Sequence, residues 1–464
     1  MTNDPETLDP RYATDAVGLR ATRLVHAGLV RLDPTSLEPL PYVARSWRWV
    51  DELTLEVRLR EDVRFHSGAF VSARDVVATL RAFSSPQVAS RHARIVEAIA
   101  EVRADGEHTV VVRLARPHAT LLTDLELPIL RADEAAVPPS PQGTLDGLGP
   151  YRVTSIGEGR VVLSPADGGA LPRPARAVTL RTVHDENARA LRLEAQRADV
   201  GLNVLSPALL PALAAQPGLS VASRAGANLT YAVVQHERRP LNDARVRRAL
   251  SLAIDRSTIA ETLFDGRATP AGGLIPPVHW AHVATAPLAF DPLAARASLF
   301  PAAGTPRLHL TVLCSTDRLR VDVARVVAQE LGDVGVDTEV VPLELGTMIA
   351  RLDAGDFDVA ILQLPEMTEP NVLRHFLHGA FVPPAGANRG RVQDAELDAL
   401  LDLGSAVADP EARRTIYARV EAREREEMHV VPLWYEDQVV VTSARARAFG
   451  PSAEGRWLDL ANLR

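Results

Sequence analysis

The sequence predicts an α/β protein built from more than one domain. The chain has 464 residues, which is more than one hydrophobic core usually supports. From about residue 177 onwards, short runs of strand-forming residues alternate with longer runs of helical period, as in a parallel sheet covered by helices. Apolar residues make up 46% and charged residues 24% of the chain, which is typical of a globular protein.

The first third of the chain mixes strands, one well-marked helix and a long loop. A short helix is expected over residues 22–28, and residues 53–59 alternate apolar and polar side chains as a half-buried strand does. Ser72, with Asp75 three residues later, predicts the N-cap of a second helix. Residues 133–150 are rich in Pro, Gly, Asp and Ser, which predicts a loop or a passage between domains.

The remainder of the chain is predicted as alternating strands and helices. The expected strands are 151–153, 159–163, 177–181, 199–202, 308–313, 337–341 and 358–362. The expected helices between them are 186–197, 321–331 and 345–352. A strand, helix, strand series of this kind favours parallel pairing, because each helix returns the chain to the same edge of the sheet.

Composition excludes several classes of function. The formal net charge of −8 argues against nucleic acid as a main partner, and all 51 basic residues are arginine, which indicates a GC-rich genome. Cys314 is the only cysteine, so neither an internal disulfide nor a thiolate zinc site is possible, and its apolar surroundings predict a buried thiol. No nucleophile elbow, phosphate-binding loop, zinc-protease motif or dinucleotide fingerprint occurs, so we expect no enzyme, cofactor or metal site.

The sequence offers no sign of membrane insertion. No stretch approaches the roughly 20 apolar residues of a membrane span. The first residues lack the basic start and apolar core of an export signal. The expectation is therefore either a mature exported protein or a cytoplasmic one, and the sequence leaves both open.

Two segments carry the most information about function. One runs from Arg45-Ser46-Trp47 through Val63-Arg64-Phe65-His66-Ser67-Gly68 to Val77, and the other from Pro240-Leu241-Asn242-Asp243 to Arg256. Further pieces in the same order are 194–200, 290–295, 355–359 and 431–435. Together they resemble the family 5 extracellular solute-binding proteins, the dipeptide, oligopeptide and nickel receptors of ABC importers.

This resemblance implies a two-lobed periplasmic-binding-protein fold (class II, type C) with an extra inserted subdomain. Lobe one would comprise residues 1–30, 146–236 and 438–464, the inserted subdomain 31–145, and lobe two 237–437. The implied function is capture of a short peptide or peptide-like molecule by closure of the lobes, without catalysis. The implied partners are the ligand and the permease subunits of the importer. A monomer in the periplasm, or a lipoprotein at the cell surface, would fit.

The resemblance also locates candidate ligand contacts. In peptide-binding members an aspartate after the 355–359 strand entry pairs with the peptide's ammonium group, and here Glu369 stands at that position, with Glu366 nearby. Leu364 replaces the family's tryptophan, and Arg389 is a candidate for binding a carboxylate. The full set of predicted ligand-binding residues is Tyr12, Asp15, Tyr231, Glu366, Glu369, Asn388, Arg389, Trp434 and Tyr435.

Structural interpretations compete with several of these assignments. Glu366 and Glu369 are equally well read as solvated loop carboxylates, and Trp434 and Tyr435 as packing residues. Arg245 and Arg247 are better read as a salt-bridge cluster, and His66 as a hydrogen-bonded structural histidine. Because the aromatic content is only 5%, the same scaffold with a nickel chelate, an opine-like acid or a sugar stays open. A cytoplasmic ligand-sensing module of a regulator is the remaining alternative.

Overall fold

The computed structural model describes residues 1–139, 144–302, 304 and 306–464, and the chain divides into two compact units. Unit one comprises Met1–Leu205, Leu209–Ala222 and Val439–Arg464. Unit two comprises Ser206–Ala208 and Ser223–Gln438. Apart from the three residues Ser206–Ala208, the chain first crosses from unit one to unit two near residue 222. The expected crossing is near residue 236.

Unit one contains ten strands and five helices among its described residues, besides short 3-10 turns. The strands are β1 (Val30–Leu32), β2 (Pro39–Pro41), β3 (Ala44–Asp51), β4 (Thr54–Leu59), β5 (Ile99–Ala104), β6 (Thr109–Leu114), β7 (Tyr151–Gly157), β8 (Arg160–Pro165), β9 (Val178–Arg181) and β10 (Val200–Leu202). The helices are α1 (Ala16–Val25), α2 (Ala73–Ser84), α3 (Leu121–Asp124), α4 (Glu186–Glu194) and α5 (Leu210–Ala214). The next strand, β11 (Leu219–Ala225), begins in unit one and ends in unit two.

Besides the two-stranded pair β1-β2, two larger antiparallel sheets organise the described part of unit one. The first has the order β3-β4-β6-β5, with α2 against it, and lies within the region predicted as an inserted subdomain. Its apolar face forms one core with α2, including Leu55, Val57, Val76 and Phe83. The second sheet has the order β7-β8-β9 and packs on a separate core. The predicted loop over 133–150 falls partly outside the described residues, since 140–143 are not among them.

Unit two holds the strand–helix alternation that the sequence predicts. Its strands are β12 (Leu229–Val234), β13 (Ala268–Pro270), β14 (His309–Ser315), β15 (Asp337–Leu343), β16 (Val359–Leu364) and the first part of β17 (Val430–Ser443). Its helices are α6 (Ala244–Leu252), α7 (Arg256–Leu263), α8 (Pro292–Leu299), α9 (Arg318–Asp333), α10 (Leu345–Ala354), α11 (Val372–Leu377), α12 (Ala395–Ala406) and α13 (Pro410–Glu427).

The main sheet of unit two is mixed rather than wholly parallel. Its order is β17-β12-β16-β14-β15. The pairs β14–β15 and β14–β16 are parallel, as expected for strands joined through helices, whereas β12 pairs antiparallel with both β16 and β17. The pairing of β12 with β16 and β17 also explains why residues 229–234 belong to unit two and not to unit one.

Aspartate side chains cap most of the long helices. Asp185, Asp243, Asp291, Asp317 and Asp409 each accept a hydrogen bond from a backbone N–H in the first turn of the helix that follows. A carboxylate at this position satisfies an otherwise unpaired donor and meets the positive end of the helix dipole. The predicted cap at Ser72 is confirmed, since its N–H donates to Asp75 Oδ2 at 2.8 Å.

The expected helix over 22–28 is displaced in the structure. α1 begins after Asp15, whose carboxylate accepts from Gly18 N–H at 2.8 Å, and it ends at Val25. Gly28 is extended instead and bridges to Pro128, and a Cβ at Gly28 would lie 2.4 Å from the carbonyl oxygen of Glu126. The glycine therefore permits a close backbone approach rather than ending a helix.

Candidate functional site

The loop after β16 carries the two predicted acidic ligand residues. Glu369 Oε2 lies 2.7 Å from Nη2 of Arg413 on α13, and the two side chains are 16% and 4% exposed. The Arg413 guanidinium also lies over the ring of Trp280, 5.0 Å from its centroid. Burial lowers the pKa of Arg413, but the carboxylate of Glu369 and, to a smaller extent, the phenol of Tyr417 raise it, and the net shift is upward. This ion pair gives Glu369 a structural role, and its contact with a ligand stays a prediction.

Glu366 lies on the same loop and is only half-buried. The loop is fixed at its next residue, where the N–H of Met367 donates to the carbonyl oxygen of Ala227 at 2.6 Å. Met367 itself is fully buried in the core of unit two. The backbone that carries Glu366 is therefore held in place by hydrogen bonding and by burial.

Arg389 is the predicted carboxylate-binding residue that the structure orients most clearly. Its Nε donates to Asp353 Oδ1 at 2.8 Å, and its side chain is 17% exposed. Among the described residues, no partner is found for its terminal nitrogens. Arg389 and Tyr231 line a small, mainly apolar cavity in unit two with space for about one water molecule (≈20 Å³). An arginine held through Nε presents its Nη atoms as a fixed fork, which suits a carboxylate.

Tyr231 lies on β12 and is almost completely buried in the same core as Leu229 and Val233. Burial raises the pKa of Tyr231, and the positive charge of Arg389 opposes that rise. The phenol is therefore neutral at physiological pH. Leu364, which stands where the family has tryptophan, lines the same cavity.

Asn388 is completely buried and binds its own loop. Its Nδ2 donates to the carbonyl oxygens of His378 at 3.1 Å and Val392 at 2.9 Å, and its Oδ1 accepts from Val392 N–H at 2.9 Å. These bonds shape the turn that presents Arg389. These bonds give Asn388 a structural role, and its contact with a ligand stays a prediction.

Trp434 and Tyr435 pack inside unit two. Trp434 is fully buried with its ring 5.3 Å from that of Phe264, and its Nε1 donates to Glu436 Oε1 at 3.4 Å. The Tyr435 hydroxyl donates to the carbonyl oxygen of Gly273 at 2.8 Å. These contacts agree with the packing interpretation, and a ligand contact by either residue stays a prediction.

Tyr12 and Asp15, the two predicted site residues of unit one, also form hydrogen bonds within that unit. The Tyr12 hydroxyl donates to the carbonyl oxygen of Val88 at 2.7 Å. Asp15 caps α1 and also accepts from Glu6 N–H at 3.2 Å. Because these residues lie in a different unit from the other seven, the structure provides no common geometry for the whole set.

Three further residues make structural contacts, and those of Arg247 are mainly to backbone carbonyl groups, with its carboxylate partner Glu427 at 4.0 Å. His66 Nε2 hydrogen-bonds the carbonyl oxygen of Gly149 at 2.9 Å, and Arg245 Nη2 lies 2.7 Å from Asp243 Oδ2. Arg247 is buried and donates to the carbonyl oxygens of Leu241 and Met428 at 2.9 Å.

No local pattern in the sequence indicates the residues that hold these candidates in place. Asp353 and Arg413 are 36 and 44 positions from Arg389 and Glu369 respectively. A third ion pair, Arg320 with Glu436, joins α9 to β17, and Glu436 also accepts from the Thr230 hydroxyl at 2.7 Å. Burial opposes the charge of Glu436, but Arg320 and its hydrogen-bond donors leave the pKa of this carboxyl below its usual value.

The described part of the chain contains neither a metal-ligating cluster nor a helix suited to crossing a membrane. No group of three or more His, Cys, Asp or Glu side chains there has the arrangement of a metal site. None of the helices among the same residues combines the length and apolar character needed to cross a bilayer.

Two α/β units connected by passages of one chain define the class of two-lobed binding proteins. A family model described as bacterial extracellular solute-binding proteins, family 5 (middle part), matches residues 38–379. The chain belongs to this family. Membership of this family makes the protein a non-catalytic receptor that works with the permease of an ABC importer. The receptor acts outside the cytoplasm. The predicted family, fold and receptor function are confirmed, and a cytoplasmic sensing module is set aside.

Individual relatives agree with this assignment. Di/tripeptide-binding protein 2 of Pseudomonas aeruginosa is 26% identical over 470 residues, which cover 92% of this chain and 87% of the relative. Glutathione-binding protein GsiB of Escherichia coli K12 is 26% identical over 359 residues, covering 75% and 69%.

Solved structures share the fold at lower identity. The ABC transporter substrate-binding protein CtaP of Listeria monocytogenes superposes with a TM-score of 0.89 at 21% identity, covering 99% of this chain and 97% of that one. NikA of Brucella suis, solved in complex with Fe(III)-EDTA, gives 0.88 at 21% identity, covering 100% and 98%. These likenesses establish the fold and leave the ligand open.

Proposed function

We propose that the ligand imported through this receptor is a short peptide or a peptide-like molecule. The observation that carries the proposal is the relationship to a di/tripeptide-binding protein over 92% of the chain. The relationship to a glutathione-binding protein over 75% of the chain points to the same class, because glutathione is itself a modified tripeptide.

The side chains of unit two support a zwitterionic ligand. A short peptide carries an ammonium group and a carboxylate, and each needs a partner of opposite charge when it leaves water. Arg389, already oriented by Asp353, supplies a guanidinium fork for the carboxylate. Glu366 and Glu369 place negative charge on one loop, and we assign the ammonium group to Glu366, because Arg413 already neutralises Glu369.

The direct test is thermal denaturation with di- to pentapeptides, glutathione and free amino acids as the panel. A ligand present at 100 times its Kd stabilises the folded protein by about 2.7 kcal/mol, which a melting curve detects readily. Stabilisation by peptides or glutathione, but not by single amino acids, is the expected result. No stabilisation by any panel member at millimolar concentration would refute the proposal.

A different ligand on the same scaffold is the alternative, and the leucine at position 364 favours it. Leu364 is buried and lines an apolar cavity, so it offers no indole face to a peptide side chain. A nickel chelate, an opine-like acid or a sugar would then be the cargo. Native mass spectrometry of the purified protein distinguishes these ligands from a peptide by the mass of any bound molecule.

The remaining features of the proposal concern assembly and mechanism. We propose a monomer that closes two lobes over its ligand and acts in the periplasm, or as a lipoprotein at the cell surface. Light scattering coupled to size exclusion tests the oligomeric state. X-ray scattering with and without a stabilising ligand tests closure, since a closed form has the smaller radius of gyration.

A further inference from the structure

The cavity that Tyr231 and Arg389 line in unit two is apolar everywhere except at these two residues. The ten other residues that line it are aliphatic or phenylalanine. Its volume of about 20 Å³ is enough for one water molecule or one methyl group. A water molecule needs two to four polar partners, and most of this wall offers none, so the space suits a methyl group better.

Regular secondary structure builds the cavity and fixes its size. Tyr231 lies on β12 between two strands, opposite Leu362 of β16 on one side and Pro432 of β17 on the other. Because side chains alternate along a strand, Leu229 and Val233 share the face of Tyr231 and line the cavity with it. Helix α11 adds three further lining side chains, spaced three and four residues apart on one helix face: Leu373, Phe376 and Leu377.

The exposure of the lining residues shows where the cavity opens. Its residues on β12 are buried, whereas Leu362, Phe376, Ala387 and Arg389 are only partly buried. The guanidinium group of Arg389 lies at this mouth, because its partner Asp353 is 43% exposed. A carboxylate bound by Arg389 therefore lies at the mouth, and a substituent next to that carboxylate can enter the cavity.

The hydroxyl group of Tyr231 is a second donor for the same carboxylate. Tyr231 is only 6% exposed, and its hydroxyl makes no hydrogen bond within the part of the chain that the structure describes. Burial raises the pKa of the phenol and the positive charge of Arg389 lowers it, so the two side chains are neighbours. A buried hydroxyl without an acceptor is unfavourable, and a carboxylate has two oxygens that can accept, one from each residue.

We propose that Tyr231 and Arg389 bind one carboxylate of the ligand together, and that the cavity receives the side chain next to it and limits that side chain to one methyl group. This inference rests on the proposed function and narrows the ligand to peptides or peptide-like molecules that end in alanine. A final glycine leaves the cavity empty. A final valine or phenylalanine must displace walls that the sheet and α11 hold in place.

Titration calorimetry with the tripeptides Ala-Ala-Gly, Ala-Ala-Ala, Ala-Ala-Val and Ala-Ala-Phe tests the size limit. We expect the peptide that ends in alanine to bind about fourfold more tightly than the one that ends in glycine, which is the effect of burying one methyl group. The peptides that end in valine and phenylalanine should bind at least about tenfold more weakly than the alanine peptide.

Two variants of adjacent residues show whether the cavity sets this preference. Leu362→Val removes one carbon from the wall opposite Tyr231, and it should reduce the disadvantage of a final valine by at least about threefold. Ile361→Val is the matched control, because it removes one carbon from the same strand but belongs to the core on the other face of the sheet. The control should keep the ratio of the alanine and valine affinities within about 1.5-fold.

The variant Tyr231→Phe tests the second donor. We expect it to weaken binding of Ala-Ala-Ala by about tenfold, and amidation of the peptide's carboxylate to cost less affinity in the variant than in the natural chain. The Tm of the free protein should not fall, because the hydroxyl has no partner to lose. Tyr42→Phe is the control, since the Tyr42 hydroxyl is likewise buried without a hydrogen bond among the described residues but lies in unit one. It should leave the affinity unchanged.

The outcomes separate this inference from the proposed function. Equal affinity for the four tripeptides, or tighter binding of a larger final residue, would overturn the size limit while leaving a peptide receptor. Unchanged affinity in Tyr231→Phe together with a lower Tm would assign the hydroxyl to the fold and overturn its role as a donor. No binding of any peptide would refute both this inference and the proposed function.

Discussion

Arg413 and Glu369 form a buried ion pair in unit two, with 2.7 Å between Nη2 and Oε2 and with the arginine side chain only 4% exposed. The pair connects the loop after β16 to α13, across 44 positions of sequence. Removing one partner of such a pair leaves a buried charge uncompensated, which is far more costly than losing a pair at the surface.

Replacing Glu369 by glutamine therefore tests whether it serves structure or ligand. We expect Glu369→Gln to lower the free energy of unfolding by about 3 kcal/mol, measured by urea denaturation. Glu411→Gln is the control on the same helix as Arg413, because Glu411 is 83% exposed and lies 3.8 Å from Arg414. The control should lose at most about 0.5 kcal/mol. Unchanged stability in Glu369→Gln with complete loss of peptide binding would instead assign Glu369 to the ligand.

Arg389 should determine affinity rather than stability. Replacing it by glutamine removes the guanidinium fork but leaves Asp353, which is 43% exposed and accessible to water. We expect Arg389→Gln to weaken binding of the stabilising peptide by about 30-fold, equivalent to about 2 kcal/mol, in titration calorimetry.

The control for Arg389 is Arg351, which lies on α10, the helix that also carries Asp353. Arg351→Gln removes a guanidinium that is paired with Asp356 at 3.1 Å and 34% exposed, and it should leave affinity within about twofold. If Arg389→Gln bound the stabilising peptide as tightly as Arg351→Gln, the ligand carboxylate would be bound elsewhere.

Local features of this fold can be predicted from the sequence because they depend on residues that are close together along the chain. The cap at Ser72 and the hairpin of β7 and β8 follow from residues a few positions apart. The parallel set β14, β15 and β16 follows from the alternation of short strand and helix patterns along the chain. α1 begins earlier than the expected helix over 22–28 because Asp15, which is predicted as a ligand contact, caps it.

Contacts between residues far apart in the sequence cannot be predicted in the same way. Nothing near β12 indicates that it pairs antiparallel with β16, more than 120 residues later. Likewise the resemblance to the family marks Arg389 as a candidate, but no local pattern marks Asp353, the residue that orients it. A site composed of side chains from separate segments therefore needs the fold before its geometry can be known.

Cys314 should be unreactive in the folded protein. Its side chain is completely buried in β14, and burial raises the pKa of its thiol. Because the thiolate is the reactive form, a disulfide reagent such as DTNB should modify it only as fast as the protein opens. We expect less than about 5% modification in an hour without denaturant and full modification in 6 M guanidinium. Rapid reaction of the native protein would show that β14 is accessible.

Glu421 should make stability fall as pH rises. It lies on α13, and its carboxylate oxygens accept from the N–H groups of Leu274 and Ile275. Burial raises the pKa of Glu421 from 4.5 to about 7, more than those hydrogen bonds lower it. Between these two values the unfolded chain has released the proton while the folded chain keeps it, so the folded state loses stability with increasing pH.

Comparison with the variant Glu421→Gln isolates this effect, because an amide does not titrate. Glu330, whose pKa is also raised to about 7, contributes equally to both proteins and cancels. The unfolding free energy of the variant minus that of the natural chain should increase by about 3 kcal/mol between pH 4.5 and pH 8. Urea denaturation at half-unit intervals of pH measures it, with Glu411→Gln as the exposed control. A difference independent of pH would mean that Glu421 ionises normally, and that water reaches this carboxylate in the folded protein.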